Sequence, residues 1–223
     1  MRTNTGRTLR ATALAMLLAI PGMALAGSLD ELPRETLAAM KYFESDPDLW
    51  AEGPVRYILL DGEREMLKDL ETREERAAFM QWFWDRRDTD LRDGVNEARI
   101  GFYERVAEAN RKYNDFPRGW KSTRGEIHIV LGRPDSVRPS MGARTEATVW
   151  TYYTVGPAAL NTSFGSVGGE VAIAFVKDHH RSRYQIYGGF GGPGTLPLYV
   201  RDALAYSKLA AIVDPSLKGN FGG

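Results

Sequence analysis

Apolar residues in the first half of the chain recur every three or four positions, which is the spacing of amphipathic α-helices. The pattern predicts a helix that starts after Pro33 and ends near Asp46. A second helix is predicted over residues 72–86, because Thr72 and Glu75 have the spacing of a capping box at a helix start. A third helix, over residues 95–114, is marked by Val95, Ala98, Phe102, Val106, Ala109 and Tyr113. We expect the two long helices to pack together.

In the second half the pattern changes to an alternation of apolar and polar residues, which is typical of half-buried β-strands. We predict strands over residues 126–131, 148–154, 171–177 and 183–187, and loops over residues 133–147 and 156–169. Shorter elements complete the prediction: a strand over residues 55–60, a helix over 63–70 and a last helix over 200–213. The predicted fold class is α+β, a single domain with an N-terminal helical layer packed on an antiparallel sheet of about four strands.

The first 26 residues have the pattern of a secretory signal peptide. Three arginines without any acidic residue precede an apolar run over residues 11–20, which is too short to span a bilayer, and Ala24-Leu25-Ala26 matches a cleavage site. We therefore expect an exported protein, periplasmic or extracellular. The predicted division is a signal peptide over residues 1–26, an N-terminal helix and linker over 27–54, one domain over 55–214 and a flexible tail over 215–223.

Charge and cysteine content exclude several classes of function. The whole chain has 29 basic and 29 acidic residues, and removal of the leader's three arginines leaves a mature net charge of −3. Nucleic-acid binding and polybasic membrane anchoring both need clustered Lys or Arg, and the sequence has no such cluster. With no cysteine there is no disulfide, thiolate metal ligand, thiol nucleophile or lipid anchor. We expect no nucleic-acid partner, no transmembrane segment in the mature chain and no cofactor.

One set of polar and aromatic residues carries a resemblance to a known family. From residue 55 to residue 135 the order and spacing of these residues resemble the bacterial GWxTD-domain family, named for a Gly-Trp-x-Thr-Asp motif. The chain departs from the motif where Ser122 and Thr123 replace its Thr and Asp. The family has no assigned reaction, so the resemblance implies a domain rather than an activity. The residues that carry it are Phe83-Trp84, Arg87-Asp88, Asn96, Arg99, Arg105, Asn110, Gly119-Trp120, Arg124-Gly125, Gly132 and Pro134-Asp135.

Several of the same residues form the candidate binding cluster. Arginine forks and carboxylates at the seam of two helices suit a cleft that binds an anion or a carboxylate. The alternative is structural: Asp88 and Asn96 cap helices while the arginines pair with carboxylates between helices. Trp120 has the same two interpretations, as a stacking platform at a loop mouth or as a plug between helix and sheet. The candidate cluster comprises Arg87, Asp88, Asn96, Arg99, Arg105, Trp120, Arg124 and Asp135.

Other motifs have weak chemical support. His179 and His180 are adjacent without a further ligand at metal-site spacing, so we expect no metal site, and we place His128 on a strand as an ordinary surface or interface residue. The glycine-rich segment over residues 189–194 matches a dinucleotide fingerprint by letter only, because prolines follow where a helix would have to start.

The sequence is compatible with two functions. The first is a non-enzymatic envelope module that binds a protein, peptide or glycan partner through the sheet edge, the loops and Trp120. The second is a periplasmic hydrolase that uses Asp88 or Asp135 with Arg87, Arg99 or Arg124 on an anionic or amide substrate. The absence of a recognisable catalytic arrangement favours the first.

Overall fold

The helices of the first half follow the predicted pattern closely. The computed structural model describes residues 32–113, 118–142, 145–153, 170–178, 183–187 and 196–213. The predicted leader, the loop over 156–169, His179-His180, the glycine-rich segment and the tail lie outside these ranges. The helices are α1 (Arg34–Phe43), α2 (Pro47–Trp50), α3 (Asp61–Lys68), α4 (Arg73–Asp85), α5 (Glu97–Lys112), α6 (Thr123–Leu131) and α7 (Leu198–Ala210).

The predicted capping box is confirmed at the start of α4. The Thr72 hydroxyl accepts from the Glu75 amide at 3.2 Å, and the Glu75 carboxylate accepts from the Thr72 amide at 2.9 Å. These bonds satisfy two amides that a helix start otherwise leaves unpaired. The two long helices pack together as predicted, with the rings of Trp84 on α4 and Phe102 on α5 5.4 Å apart.

Four antiparallel strands form one sheet in the order β1-β2-β3-β4, which confirms the α+β fold class. Val137 pairs with Trp150, Trp150 with Ile173, and Phe175 with Ile186. Helices α6 and α7 pack on β4 and β3, and Tyr113, just after α5, reaches the Trp150 ring at 5.4 Å. The strands are β1 (Ser136–Gly142), β2 (Thr145–Tyr152), β3 (Val171–Asp178) and β4 (Arg183–Ile186).

The predicted strand over residues 126–131 is wrong, because this segment is helix α6. The Ser122 hydroxyl caps its start by accepting from the Gly125 amide at 2.9 Å, and Gly132 ends it with a φ of 80°. Ile127, Ile129 and Val130 are all buried. A helix that is covered on most sides has no polar stripe, so its apolar run gives no helical period.

Two further local predictions are wrong. The predicted loop over residues 133–147 contains β1, which is an edge strand and therefore tolerates Pro139 and polar side chains. The predicted strand over residues 55–60 is a 3₁₀ turn at Pro54–Tyr57, where Pro54 at the first position favours a turn. The sheet therefore has the expected number of strands but begins with a different one.

The junction between α5 and α6 depends on two glycines. A Cβ atom added to Gly119 would lie 2.1 Å from the carbonyl oxygen of Ala109, and one added to Gly125 would lie 2.1 Å from the carbonyl oxygen of Gly119. Both obstacles are backbone atoms, which cannot rotate away as a side chain can. Only glycine allows the 3₁₀ turn Gly119–Lys121 to pack this closely between the two helices.

We predict that Gly125→Ala lowers the free energy of unfolding by about 3 kcal/mol, because the backbone must shift to admit the methyl group. Urea unfolding of the full chain measures this loss. Gly62→Ala is the matched control, since nothing lies within 4 Å of a Cβ at Gly62 and alanine favours its helix. Equal stability of the Gly125→Ala protein and the parent would contradict the close packing described above.

Candidate functional site

A cleft of about 600 Å³ opens between the sheet and the ends of α5 and α6. Its floor belongs to the sheet face that packs on the helices. Trp150 on that face is buried, whereas its partner Val137 on β1 is 56% exposed. The helices thus cover the middle of the sheet and leave the β1 side of the same face accessible. The lining residues are Lys112, Tyr113, Arg124, His128, Arg133, Pro134, Val137, Pro139, Glu146, Ala147, Thr148, Trp150 and Tyr184.

Strand alternation places the floor residues. Thr148 and Trp150 are two apart on β2 and therefore point to one face. The register puts Pro139 opposite Thr148 and Val137 opposite Trp150, so these β1 residues share that face. The floor is mainly apolar.

Helix spacing places most of the wall. Arg124 and His128 are four residues apart on α6 and lie on one side of it. Lys112 is the last residue of α5, and Arg133 follows the Gly132 turn that ends α6. Three cations therefore line the wall, and an imidazole lies among them.

A buried carboxylate, Glu108, connects three of these wall groups. It forms an ion pair with Lys112 Nζ at 2.5 Å and accepts from Arg133 Nε at 3.0 Å and His128 Nε2 at 3.1 Å, with only 8% of its own side chain exposed. Burial alone would raise the pKa of Glu108, but the hydrogen bonds from Lys112 and Arg133 outweigh burial and lower the pKa to about 2. Glu108 is therefore ionised at neutral pH.

His128 is neutral at neutral pH and bonded through one nitrogen. Burial lowers its pKa more than the neighbouring Glu108 raises it. Because an ionised carboxylate only accepts hydrogen bonds, the proton of the neutral ring is on Nε2. The other nitrogen, Nδ1, is buried without a hydrogen-bond partner among the described residues. The prediction that His128 is a surface residue on a strand is wrong, since it is fully buried on α6.

Arg124 lies against aromatic rings at the other side of the cleft. Its guanidinium carbon is 3.8 Å from the Tyr184 ring centroid and 5.2 Å from that of Tyr113. Glu146, near the rim, accepts from Lys177 Nζ at 2.7 Å and from the Tyr184 hydroxyl at 2.5 Å. Stacking on Tyr184 fixes the plane of the Arg124 guanidinium.

Arg87 and Asp88, from the predicted cluster, lie at the end of α4. Arg87 is 2% exposed and donates to both oxygens of Glu63 at 3.0 Å, and the neighbouring Arg86 donates to the same carboxylate at 2.8 Å. Burial lowers the pKa of Arg87 although Glu63 opposes the shift. Asp88 is 9% exposed and accepts from the Asp90 amide. These contacts tie α3 to the end of α4.

Asn96 and Arg99 act at the start of α5. Asn96 caps the helix by accepting from the Arg99 amide at 2.8 Å, and its own side chain donates to the Trp84 carbonyl at 2.9 Å. Arg99 donates through Nε to Glu44 at 3.0 Å and pairs with the same carboxylate through a terminal nitrogen. Trp84 Nε1 donates to Glu44 at 2.9 Å. The set links α1, α4 and α5.

The last predicted residues are distributed over the junctions of the fold. Arg105 donates to the Ile129 carbonyl at 2.8 Å, and Asp135 accepts from the Tyr153 amide at 2.8 Å. Trp120 is 2% exposed and packs edge-on against Phe43, so its ring is too enclosed to be a stacking platform. Of the eight predicted site residues, Arg124 lines the cleft.

The cluster predicted from the sequence does not include Glu108, Lys112 or Arg133. One local signal was present, because Glu108 and Lys112 have the i,i+4 spacing of a helical ion pair. Arg133 lies near them only because α6 packs on α5, and a local sequence pattern does not show this packing. Among the described residues no group of three or more His, Asp or Glu side chains is placed to hold a metal ion, and no helix is long and apolar enough to span a membrane.

The two positions where the chain departs from the Gly-Trp-x-Thr-Asp motif lie at the start of α6. Ser122, in place of Thr, is the N-cap, and its hydroxyl also donates to the Gly119 carbonyl at 2.7 Å. Thr123, in place of Asp, is the first helical residue. A hydroxyl at the N-cap and an acid at the next position both stabilise a helix start, so the motif has a structural explanation.

We predict that Arg99→Gln lowers the free energy of unfolding by about 2 kcal/mol, because it leaves the mostly buried Glu44 carboxylate without its cation. Arg92→Gln is the control, since the Arg92 side chain is 90% exposed and its pairing with Asp90 contributes little. Denaturant unfolding of both variants measures the difference. A parent-like stability of Arg99→Gln would mean that the Glu44 pair is not a structural support.

Opposite effects are expected at the two motif positions. Ser122→Ala removes the cap and should cost about 1–2 kcal/mol of unfolding free energy, whereas Thr123→Asp should add about 0.5 kcal/mol through the helix dipole. Thermal unfolding at low and high salt tests both changes, because the gain from Thr123→Asp should decrease with added salt. A destabilised Thr123→Asp protein would contradict the capping explanation.

Comparison with known proteins gives one match. No curated protein and no solved structure is significantly similar to the chain. The family model of the GWxTD domain matches residues 45–179, which extends the resemblance seen in the sequence to α2 and to strands β1, β2 and β3. Since this match covers more than half of the chain, the protein belongs to the GWxTD-domain family.

Proposed function

We propose that this GWxTD-domain protein is an exported binding module that holds a partner in the cleft between the sheet and the ends of α5 and α6. The observation that carries the proposal is the cationic and aromatic wall of an accessible cleft. Arg124 is stacked on Tyr184, and Glu108 holds both Lys112 and Arg133. Groups that are fixed before binding lose less conformational freedom when a partner arrives, so they suit recognition. Export rests on the signal-peptide pattern of residues 1–26.

A hydrolase has less support from the same geometry. Asp88 is buried and accepts a backbone amide, and Asp135 accepts the Tyr153 amide. A general base must reach the substrate proton, and the buried Nδ1 of His128 offers no such path. The cleft therefore favours binding over acid–base chemistry.

The experiment that tests the binding function is site-specific photo-crosslinking in the cells that produce the protein. A photoreactive phenylalanine analogue replaces Val137, which is exposed in the cleft, and in a matched protein it replaces Tyr42, which is 63% exposed on α1. We predict a discrete crosslinked product from position 137 that is missing from position 42. The product should be lost when Thr148→Trp fills the cleft floor.

Thermal unfolding of the Thr148→Trp protein checks that it still folds, which makes the loss of the product interpretable. Equal labelling from positions 137 and 42, or labelling from 137 that survives Thr148→Trp, would count against a binding role for the cleft. A second control protein carries the analogue in place of Leu49, which is 58% exposed on α2. It shows whether the result at position 42 holds for another exposed position outside the cleft.

A further inference from the structure

Glu108 leaves hydrogen-bond donors of two exposed cations unused. Arg133 contacts Glu108 through Nε, while 74% of its side chain is exposed and its two terminal nitrogens have no hydrogen-bond partner in the described part of the chain. Lys112, 49% exposed, pairs with Glu108 through its ammonium group, which has three donors. The carboxylate thus anchors both side chains. The remaining donors are available to a ligand in the cleft.

The charges of this group do not cancel. Lys112 and Arg133 carry two positive charges, Glu108 carries one negative charge, and His128 is neutral because burial lowers its pKa. This group leaves one positive charge at the cleft wall, and Arg124 adds a second. Glu146, the acid on the cleft's other side, is already paired with Lys177. The cleft therefore complements a negatively charged partner.

The shape of the cleft favours an extended chain beside this charge. Its outer border is β1, which in the described part of the chain is an edge strand, paired with β2 on one side. An edge strand offers backbone donors and acceptors to an added peptide strand. Pro139 has no amide hydrogen and interrupts that row, which limits the contact to a short segment and disfavours pairing with another β1. Val137 and Pro139 add an apolar surface.

We propose that the cleft binds a short acidic peptide segment in an extended conformation. A side-chain carboxylate of the peptide receives hydrogen bonds from the terminal nitrogens of Arg133 and from Lys112, and an apolar side chain two residues further along, on the same face of the extended peptide, packs on Val137 and Pro139. Glu108 is a positioning residue, because it orients both cations without touching the peptide. This proposal rests on the binding function proposed above and specifies the chemistry of the partner.

The test uses two defined probes with the full mature chain. One is an acetylated, amidated pentapeptide with valine at positions 1 and 5, threonine at positions 2 and 4 and glutamate at position 3, so that valine and glutamate share one face. The other has glutamine in place of the glutamate. Isothermal titration calorimetry measures both affinities, and a change in tryptophan fluorescence, to which Trp150 on the cleft floor contributes, gives a second readout. We expect the glutamate peptide to bind roughly tenfold more tightly than the glutamine peptide, as charge-assisted hydrogen bonds require.

Three variants assign the effect to the cleft. Arg133→Gln should weaken the glutamate peptide roughly tenfold, and Arg133→Lys should recover only part of the loss because lysine has no planar fork. Arg138→Gln is the matched control, since Arg138 is an exposed arginine next to Val137 on β1 and points to the opposite face. Arg138→Gln should leave the affinity unchanged. Melting curves confirm that all three proteins fold.

Specific outcomes would overturn the proposal. Equal binding of the two peptides would refute the proposed contact between the cleft and a peptide carboxylate. An unchanged affinity of the Arg133→Gln protein for the glutamate peptide would refute it as well. Inorganic phosphate or free glutamate that binds as tightly as the peptide would show that an extended chain contributes nothing. The failure of the binding function itself is distinguishable: crosslinking from position 137 without peptide discrimination refutes the acidic-peptide proposal alone, whereas the absence of both refutes the two together.

Discussion

The close backbone contact at Gly119 and Gly125 is the constraint on which the rest of the structure depends. It sets the 3₁₀ turn directly against α5 and sets α6 directly against that turn. At this separation His128 on α6 reaches Glu108 on α5, and Arg105 on α5 reaches the Ile129 carbonyl on α6. The end of α6 then delivers Arg133 to the same carboxylate. The cleft wall is thus a consequence of how closely two helices approach.

Carboxylates that are buried or mostly buried also join the segments of the fold. Glu44 joins α1 to α4 and α5, Glu63 joins α3 to the end of α4, and Glu108 joins α5 to α6 and the segment after it. Each carboxylate receives hydrogen bonds from at least two side chains of other segments, which offsets the cost of removing the charge from water. The partners of Glu63 are enclosed with it, so that site is structural. Glu108 differs because its cations reach an accessible cleft.

The parts of the fold that could be predicted are those that local chemistry determines. The capping box at Thr72 and the apolar stripe of α5 need no information from distant residues, and both elements were predicted. Helix α6 was missed because burial on most sides removes the polar face that reveals a helical period. Strand β1 was missed because an edge strand with Pro139 lacks the apolar alternation of a central strand.

The candidate site could likewise be predicted only as far as local sequence determines it. The arginines near the family motif were visible as a cluster, but a sequence does not show which carboxylate each of them faces. Arg87 and Arg99 face Glu63 and Glu44 inside the helical layer, while Arg124 faces the cleft.

Whether the cleft suits binding or catalysis depends on which of its groups can gain or lose a proton. Acid–base catalysis needs a group that titrates near the working pH and touches the substrate. In this cleft Glu108 is held ionised by its donors, and His128 is held neutral by burial with its free nitrogen enclosed. At neutral pH Glu108 is therefore charged and His128 uncharged. Charged groups at fixed positions suit recognition by electrostatic complementarity. This is the physical reason why we propose binding rather than catalysis for the cleft.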